Sequence, residues 1–124
     1  MKCSPSFVIT LCLFCFIALS AACSDPTREE YRDEITEEAC KSYESCGDIG
    51  SGKTYSSKED CEIKVRSNIN DLWPADRCDD GRINPEKFDQ CLDRARVVPC
   101  GNAFDFWSFV AECNADKVCT DPRS

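Results

Sequence analysis

Apolar residues along the chain recur at helical rather than strand spacing. Tyr31, Ile35, Ala39, Tyr43 and Cys46 form one stripe, with Cys40 beside it and Glu34, Glu37, Glu38 and Lys41 on the opposite side. That pattern predicts an amphipathic helix over 28–46, opened by the capping box Thr27-Arg28-Glu29-Glu30 and stopped by Gly47. Ser56 and Ser57 open a second helix, Ser56-x-x-Glu59 reading as another capping box. Cys61, Val65, Ile69 and Leu72 are its apolar stripe, and Trp73-Pro74 ends it. Asn84 followed by Pro85 starts a third helix carrying Phe88, Cys91, Leu92 and Ala95, closed by Pro99 and Gly101. Asn102-x-x-Asp105 opens a fourth with Phe106, Phe109, Val110 and Cys113 on one side, and residues 114–124 read as a polar tail fastened near its start by Cys119. No segment alternates as a strand would, so the expected fold is all-α, a small disulfide-rich bundle of about four short helices.

The first residues follow a different logic. Lys2 precedes an apolar and small run from Phe7 to Leu19, and Ser20-Ala21-Ala22 supplies small residues for cleavage, which reads as a secretory signal over 1–22. Leu19-Ser20-Ala21-Ala22-Cys23 resembles a bacterial lipobox, with Ser20 where Leu is usual. The resemblance implies that Cys23 is lipidated and becomes the new N-terminus. The expected organisation is then signal peptide 1–22, lipid-anchored tether 23–26 and helical domain 27–124. The expected location is the cell envelope, periplasmic or outer surface, or secretion if cleavage leaves Cys23 bare.

Cysteine counting agrees with export. Of twelve Cys, three leave with the signal; setting Cys23 aside leaves Cys40, Cys46, Cys61, Cys78, Cys91, Cys100, Cys113 and Cys119. An even set in an oxidising compartment implies structural disulfides. No C-x-x-C occurs among the eight, which argues against zinc clusters and redox chemistry. An antiparallel hairpin of the first two helices would bring the end of one near the start of the next, predicting Cys46–Cys61. Cys78–Cys91, both flanking the start of the third helix, is a weaker expectation; the other pairings stay open.

Charge and composition exclude whole function classes. All 23 acidic residues follow the signal, against 14 of the 15 basic ones, a balance that repels nucleic acid and anionic lipid. There is no His, which removes the commonest general base, every Ser–His or Cys–His pair and every His-containing zinc site.

Two motifs need weighing. Gly47-Asp48-Ile49-Gly50-Ser51-Gly52-Lys53-Thr54 satisfies the phosphate-loop pattern. Such loops join a buried strand to a helix, whereas amphipathic helix precedes this one and the capping serines follow only at 56–57, so no nucleotide is expected. Asp76-Arg77-Cys78-Asp79-Asp80-Gly81 runs into Asn84 and Lys87 in the manner of a Ca²⁺ loop, but Cys78 and Lys87 stand at two ligand positions. No metal is therefore expected, with Asp76 and Asp80 the weak candidates. Carboxylates on the first helix lie on a solvated face, which does not make an acid/base pair. Phe104, Phe106, Trp107 and Phe109 are apolar on two helix faces; most belong to the core, with Trp107 and then Trp73 the candidate partner contacts.

Cys40 and Cys46, Gly50-Ser51-Gly52-Lys53-Thr54-Tyr55, Cys61 with its helix and Trp73, Cys78-Asp79-Asp80-Gly81-Arg82-Ile83, Cys91 and Cys100-Gly101-Asn102 together resemble a family of small bacterial Cys-rich lipoproteins with a domain of unknown function, sometimes labelled natural product biosynthesis lipoproteins. The resemblance transfers no catalytic residue. The expected function is a lipid-anchored, exported helical binding or structural module without a cofactor and without enzymatic activity. Its partners would be the membrane, through the lipid, and an unidentified protein or small molecule. The rivals are an accessory enzyme of a biosynthetic cluster using carboxylates or Tyr, and a weak Ca²⁺-dependent extracellular module.

Overall fold

A computed structural model describes residues 24–97, 100 and 109–120. Within them the chain forms α1 (Arg28–Ser45), α2 (Lys58–Leu72), α3 (Pro85–Arg96), a helical stretch at 109–113, and α4 (Ala115–Val118). Among the described residues there is no strand, only the isolated bridges Ile49–Tyr55 and Ile83–Cys119. The molecule is a small all-α fold braced by four disulfides. No helix among the described residues is long and apolar enough to cross a membrane.

The helix starts follow local chemistry. Thr27 caps α1 with the reciprocal Glu30 box intact, and Asn84 caps α3 with Pro85 at N1. For α2 the cap is one residue later than expected: Ser57 accepts from the Asp60 amide, while Ser56 donates its amide to the Asp60 carboxylate at 2.9 Å. The segment expected to be a plain polar tail holds α4 instead. Asn114 caps it, and it buries Ala115 and Val118. A four-residue helix has too few positions to show periodicity, and only the Asn cap announces it.

α1 and α2 form an antiparallel hairpin, with Arg28 near the end of α2 and Cys40 facing Cys61 near its start. α3 lies along α1 in the same sense. Tyr31 meets Phe88 at 4.6 Å between ring centroids near their starts, and the Ser42 hydroxyl donates to the Ala95 carbonyl at 2.7 Å near their ends. The core gathers Ile35, Ile69, Trp73, Phe88, Leu92 and Val118 with buried cystines.

Helix ends leave backbone groups without intrahelical partners, and here side chains from other elements take up several of them. Ser42 of α1 serves the end of α3 through Ala95. The Trp73 indole N–H donates to the Cys113 carbonyl, at the end of the 109–113 stretch, at 2.7 Å. The Arg28 guanidinium donates to the Trp73 carbonyl at 2.6 Å, capping α2, and Asp80 accepts the Arg28 amide at 2.7 Å at the start of α1. Each contact joins segments far apart in sequence, so secondary structure and tertiary packing stabilise each other.

All eight expected cysteines are paired, but not as expected. The bonds are Cys40–Cys61, Cys46–Cys100, Cys78–Cys119 and Cys91–Cys113. The Cys46–Cys61 expectation fails because the connector doubles back along the last turn of α1. Tyr55 packs edge-on against Tyr43 with centroids 5.0 Å apart, so α2 begins beside Cys40, about 9 Å upstream of Cys46 at 1.5 Å per residue. The Cys78–Cys91 expectation fails because Cys91 lies on the buried face of α3 that meets Cys113, leaving Cys78 to hold Cys119 beside the Ile83 bridge.

Candidate binding site

The phosphate-loop-like stretch is a helix-to-helix connector. Gly47, in the left-handed region at φ 72°, closes α1 in a Schellman motif: its amide donates to Glu44 and that of Asp48 to Tyr43. The Gly50, Lys53 and Tyr55 amides donate to Tyr55, Gly50 and Asp48 in turn. Amides that a phosphate loop would aim at a ligand are thus committed within the connector.

The Ca²⁺-like loop is similarly engaged. The Asp80 carboxylate caps α1, the Asp76 carbonyl accepts from Arg82 at 3.0 Å, and Asp79 pairs with Arg82 at 2.7 Å. Cys78 is held in its disulfide, and among the described residues no three His, Cys, Asp or Glu side chains come together as a metal site. The expected contact at Trp73 is corrected, because its side chain is 0% exposed and its indole N–H is used inside the fold. Trp107 and the lipidation candidate Cys23 lie outside the described residues.

What the fold does assemble is an apolar cavity of about 220 Å³ between α1, the connector, α2 and the 109–113 stretch. Ala39 and Tyr43 form one wall, Tyr55 the floor from the connector, Val65, Ile69 and Leu72 the α2 wall, and Phe109 and Val110 the remaining side. Asn68 and Asp71 of α2 also line it, and Asp71 is exposed at its solvent edge. The Tyr55 phenol is pushed well above its ordinary value of 10.0, first by burial and then by the neighbouring Tyr43, so it stays neutral. Lys64 lies 5.7 Å from the centroid of the Tyr55 ring while paired with Asp60 at 3.0 Å.

A second depression, lined by Asp33, Thr36, Glu37, Lys58, Glu62 and Arg66, is of another kind. Its charges are mutually matched: Arg66 pairs with Asp33, Lys58 with Glu62 at 4.0 Å, and Glu37 with Lys41 at 3.0 Å. Its charges are satisfied as they stand, while the buried Thr36 hydroxyl among them makes no hydrogen bond with any described residue.

The α2 wall and the Phe109–Val110 pair were visible in the sequence as apolar stripes, but read as core. Tyr55 lies in the connector, and Asn68 and Asp71 stand off the apolar stripe of α2. Ile49 and Tyr55, the two apolar residues of a glycine-rich connector, are the local signal that it packs inward.

No curated protein matches the chain, and no solved structure does either. One family model does, over residues 40–121, a span that opens at the first bridging cysteine and contains all four disulfides and every described cavity-lining residue except Ala39. The chain therefore belongs to the family of unknown function DUF6184.

Proposed function

We propose that the protein is an exported, non-enzymatic binding module, tethered to the cell envelope through a lipid on Cys23, that takes an apolar group into the cavity between α1 and α2. The observation that carries this reading is the cavity itself. An opening of about 220 Å³ among Tyr43, Tyr55, Val65, Leu72 and Phe109 leaves apolar surface without packing partners, which an apolar ligand group would supply. Four disulfides are compatible with an exported protein, and the lipobox resemblance supports the anchor. The resemblance to natural product biosynthesis lipoproteins supports a ligand drawn from such a pathway. The binding reading is preferred to an enzyme because the buried polar side chains among the described residues are Thr36 and Ser42, with no buried carboxylate pair.

The test is titration of the oxidised chain with a neutral phenylalkanol, followed by NMR shifts. Resonances of Ala39, Tyr43, Tyr55 and Val65 should move together and saturate, and Ala39→Leu, which grows into the cavity, should suppress the change. Shifts scattered over the surface, or unaltered in Ala39→Leu, would rule out the cavity as the site. Intact mass before and after reduction reports the anchor. A mature N-terminus at Cys23 without diacylglycerol would remove the tether from the proposal.

A further inference from the structure

The two polar residues that α2 contributes to the cavity do little for the fold. The Asn68 side chain makes no hydrogen bond and the Asp71 carboxylate no ion pair with any described residue. Elsewhere on α2, Lys58, Asp60, Glu62, Lys64 and Arg66 are paired; Glu59 shares Asp71's lack of a partner but stands at the start of the helix and does not line the cavity. Asp71 is also placed against local preference. It is the penultimate residue of α2, whose last turn carries no basic residue, so its charge adds to the negative end of the helix dipole. The neighbouring guanidinium, Arg28, is committed to Asn70 and the Trp73 carbonyl and does not line the cavity. An unpaired carboxylate beside the carbonyl end of a helix, at the edge of an aromatic cavity, is a region of negative potential that favours a cation. The cavity's described lining includes no Lys or Arg, and Lys64, over the Tyr55 ring, is already paired with Asp60, so a carboxylate or phosphate head would find no free counter-charge there.

We infer that the ligand of this cavity is a small organic cation, an ammonium carried on a single aromatic ring or a short branched apolar body. The body lies among Tyr43, Tyr55, Val65, Leu72 and Phe109, and the ammonium donates to the Asp71 carboxylate and the Asn68 amide oxygen. The inference rests on the cavity-binding reading and adds the ligand's charge to it. Size agrees, since a cavity of about 150 Å³ accepts benzene and this one has room for a ring with a short stem. The net charge of −8 draws cations toward the surface in general and adds to the local attraction.

Three probes of equal shape separate the contributions: 4-phenylbutylamine, 4-phenylbutanol and 4-phenylbutyrate, titrated calorimetrically into the oxidised chain. The amine should bind about five- to tenfold more tightly than the alcohol, the scale of one partly exposed charge-assisted hydrogen bond, and the carboxylate most weakly. Asp71→Asn should bring the amine's affinity down to the alcohol's, whereas Glu59→Gln, which removes an exposed carboxylate at the other end of α2, should leave the amine-to-alcohol ratio as it is. Equal binding of amine and alcohol by the unmutated chain would overturn this inference and leave the cavity reading intact. A preference that survives Asp71→Asn would assign it to the overall field and overturn the site. No heat from any probe would overturn the cavity reading and this inference with it.

Discussion

Trp73→Phe tests how the helix ends are joined. The indole is fully buried, stands 6.1 Å from the Phe88 ring centroid, and donates to the Cys113 carbonyl at 2.7 Å. Phenylalanine keeps the aromatic contact but removes the donor, leaving the carbonyl of the fully buried Cys113 without that partner. An orphaned buried acceptor costs about 1–3 kcal/mol. The smaller ring also forfeits about three buried ring atoms, at about 0.8 kcal/mol per methylene equivalent. Together these give a loss of about 3–5 kcal/mol, a large fraction of the stability of a domain of this size. The assay is urea unfolding of the oxidised protein followed by far-UV circular dichroism, with the slope unchanged so that the midpoint alone carries the effect. At about 4–8 °C per kcal/mol the melting temperature should fall by more than about 12 °C. In the unmutated protein the indole proton should exchange with solvent only on global unfolding. A loss below about 1 kcal/mol, or rapid indole exchange, would refute the claim that this side chain ties α2 to the 109–113 stretch.

Other expectations follow from the same structure. Non-reducing peptide mapping should recover Cys40–Cys61 and Cys46–Cys100, and a Cys46–Cys61 peptide would contradict the doubled-back connector. Opening the Cys46–Cys100 loop by a paired Ser substitution should cost about 4 kcal/mol against about 3 for Cys40–Cys61, because it closes a longer stretch of chain. Glu30 and Glu38 are held below their ordinary 4.5, Glu30 by hydrogen bonds from Thr27 and Glu38 by those from Lys41 and then Arg96. Their contribution is therefore complete above about pH 4.5 and lost as pH falls through the lowered values, and Glu38→Gln should flatten the acid limb of a stability–pH curve. Tyr55 has the opposite sign. Its raised value gives stability that is complete below pH 10 and lost on alkalinisation, so absorbance titration should show Tyr55→Phe deleting a late phenolate step. Lys53→Ala should alter neither stability nor nucleotide binding, ATP giving no signal in either form, whereas Gly52→Ala should cost about 1 kcal/mol because its φ of 74° strains any residue with a Cβ.

Local chemistry was enough to place α1, α2 and α3, but not α4, and the expected start of a fourth helix at Asn102 lies outside the described residues. The Thr27 box, the Asn84-Pro85 start and the Gly47 stop stand where the sequence puts them, since a cap depends only on residues three or four apart. The apolar stripes likewise identify the buried faces of α1, α2 and α3, because helical periodicity is a property of the chain itself. The cap at Ser57 rather than Ser56 marks the limit of that reasoning, as adjacent serines are equivalent until the backbone chooses one.

Nothing local determines which faces meet. Four disulfides, the burial of Trp73, the use of Asp80 as a cap for α1 and the cavity at Tyr55 all depend on the path of the connector and on pairings between residues remote in sequence. Asp71 illustrates the difference. In the sequence it is one more acid on a polar helix face; in the fold it is an unpaired charge beside an apolar opening. Periodicity and capping are short-range energies written into neighbouring residues. Cavities and cystine pairings arise from how the helices pack, a balance over the whole chain that only the tertiary structure resolves.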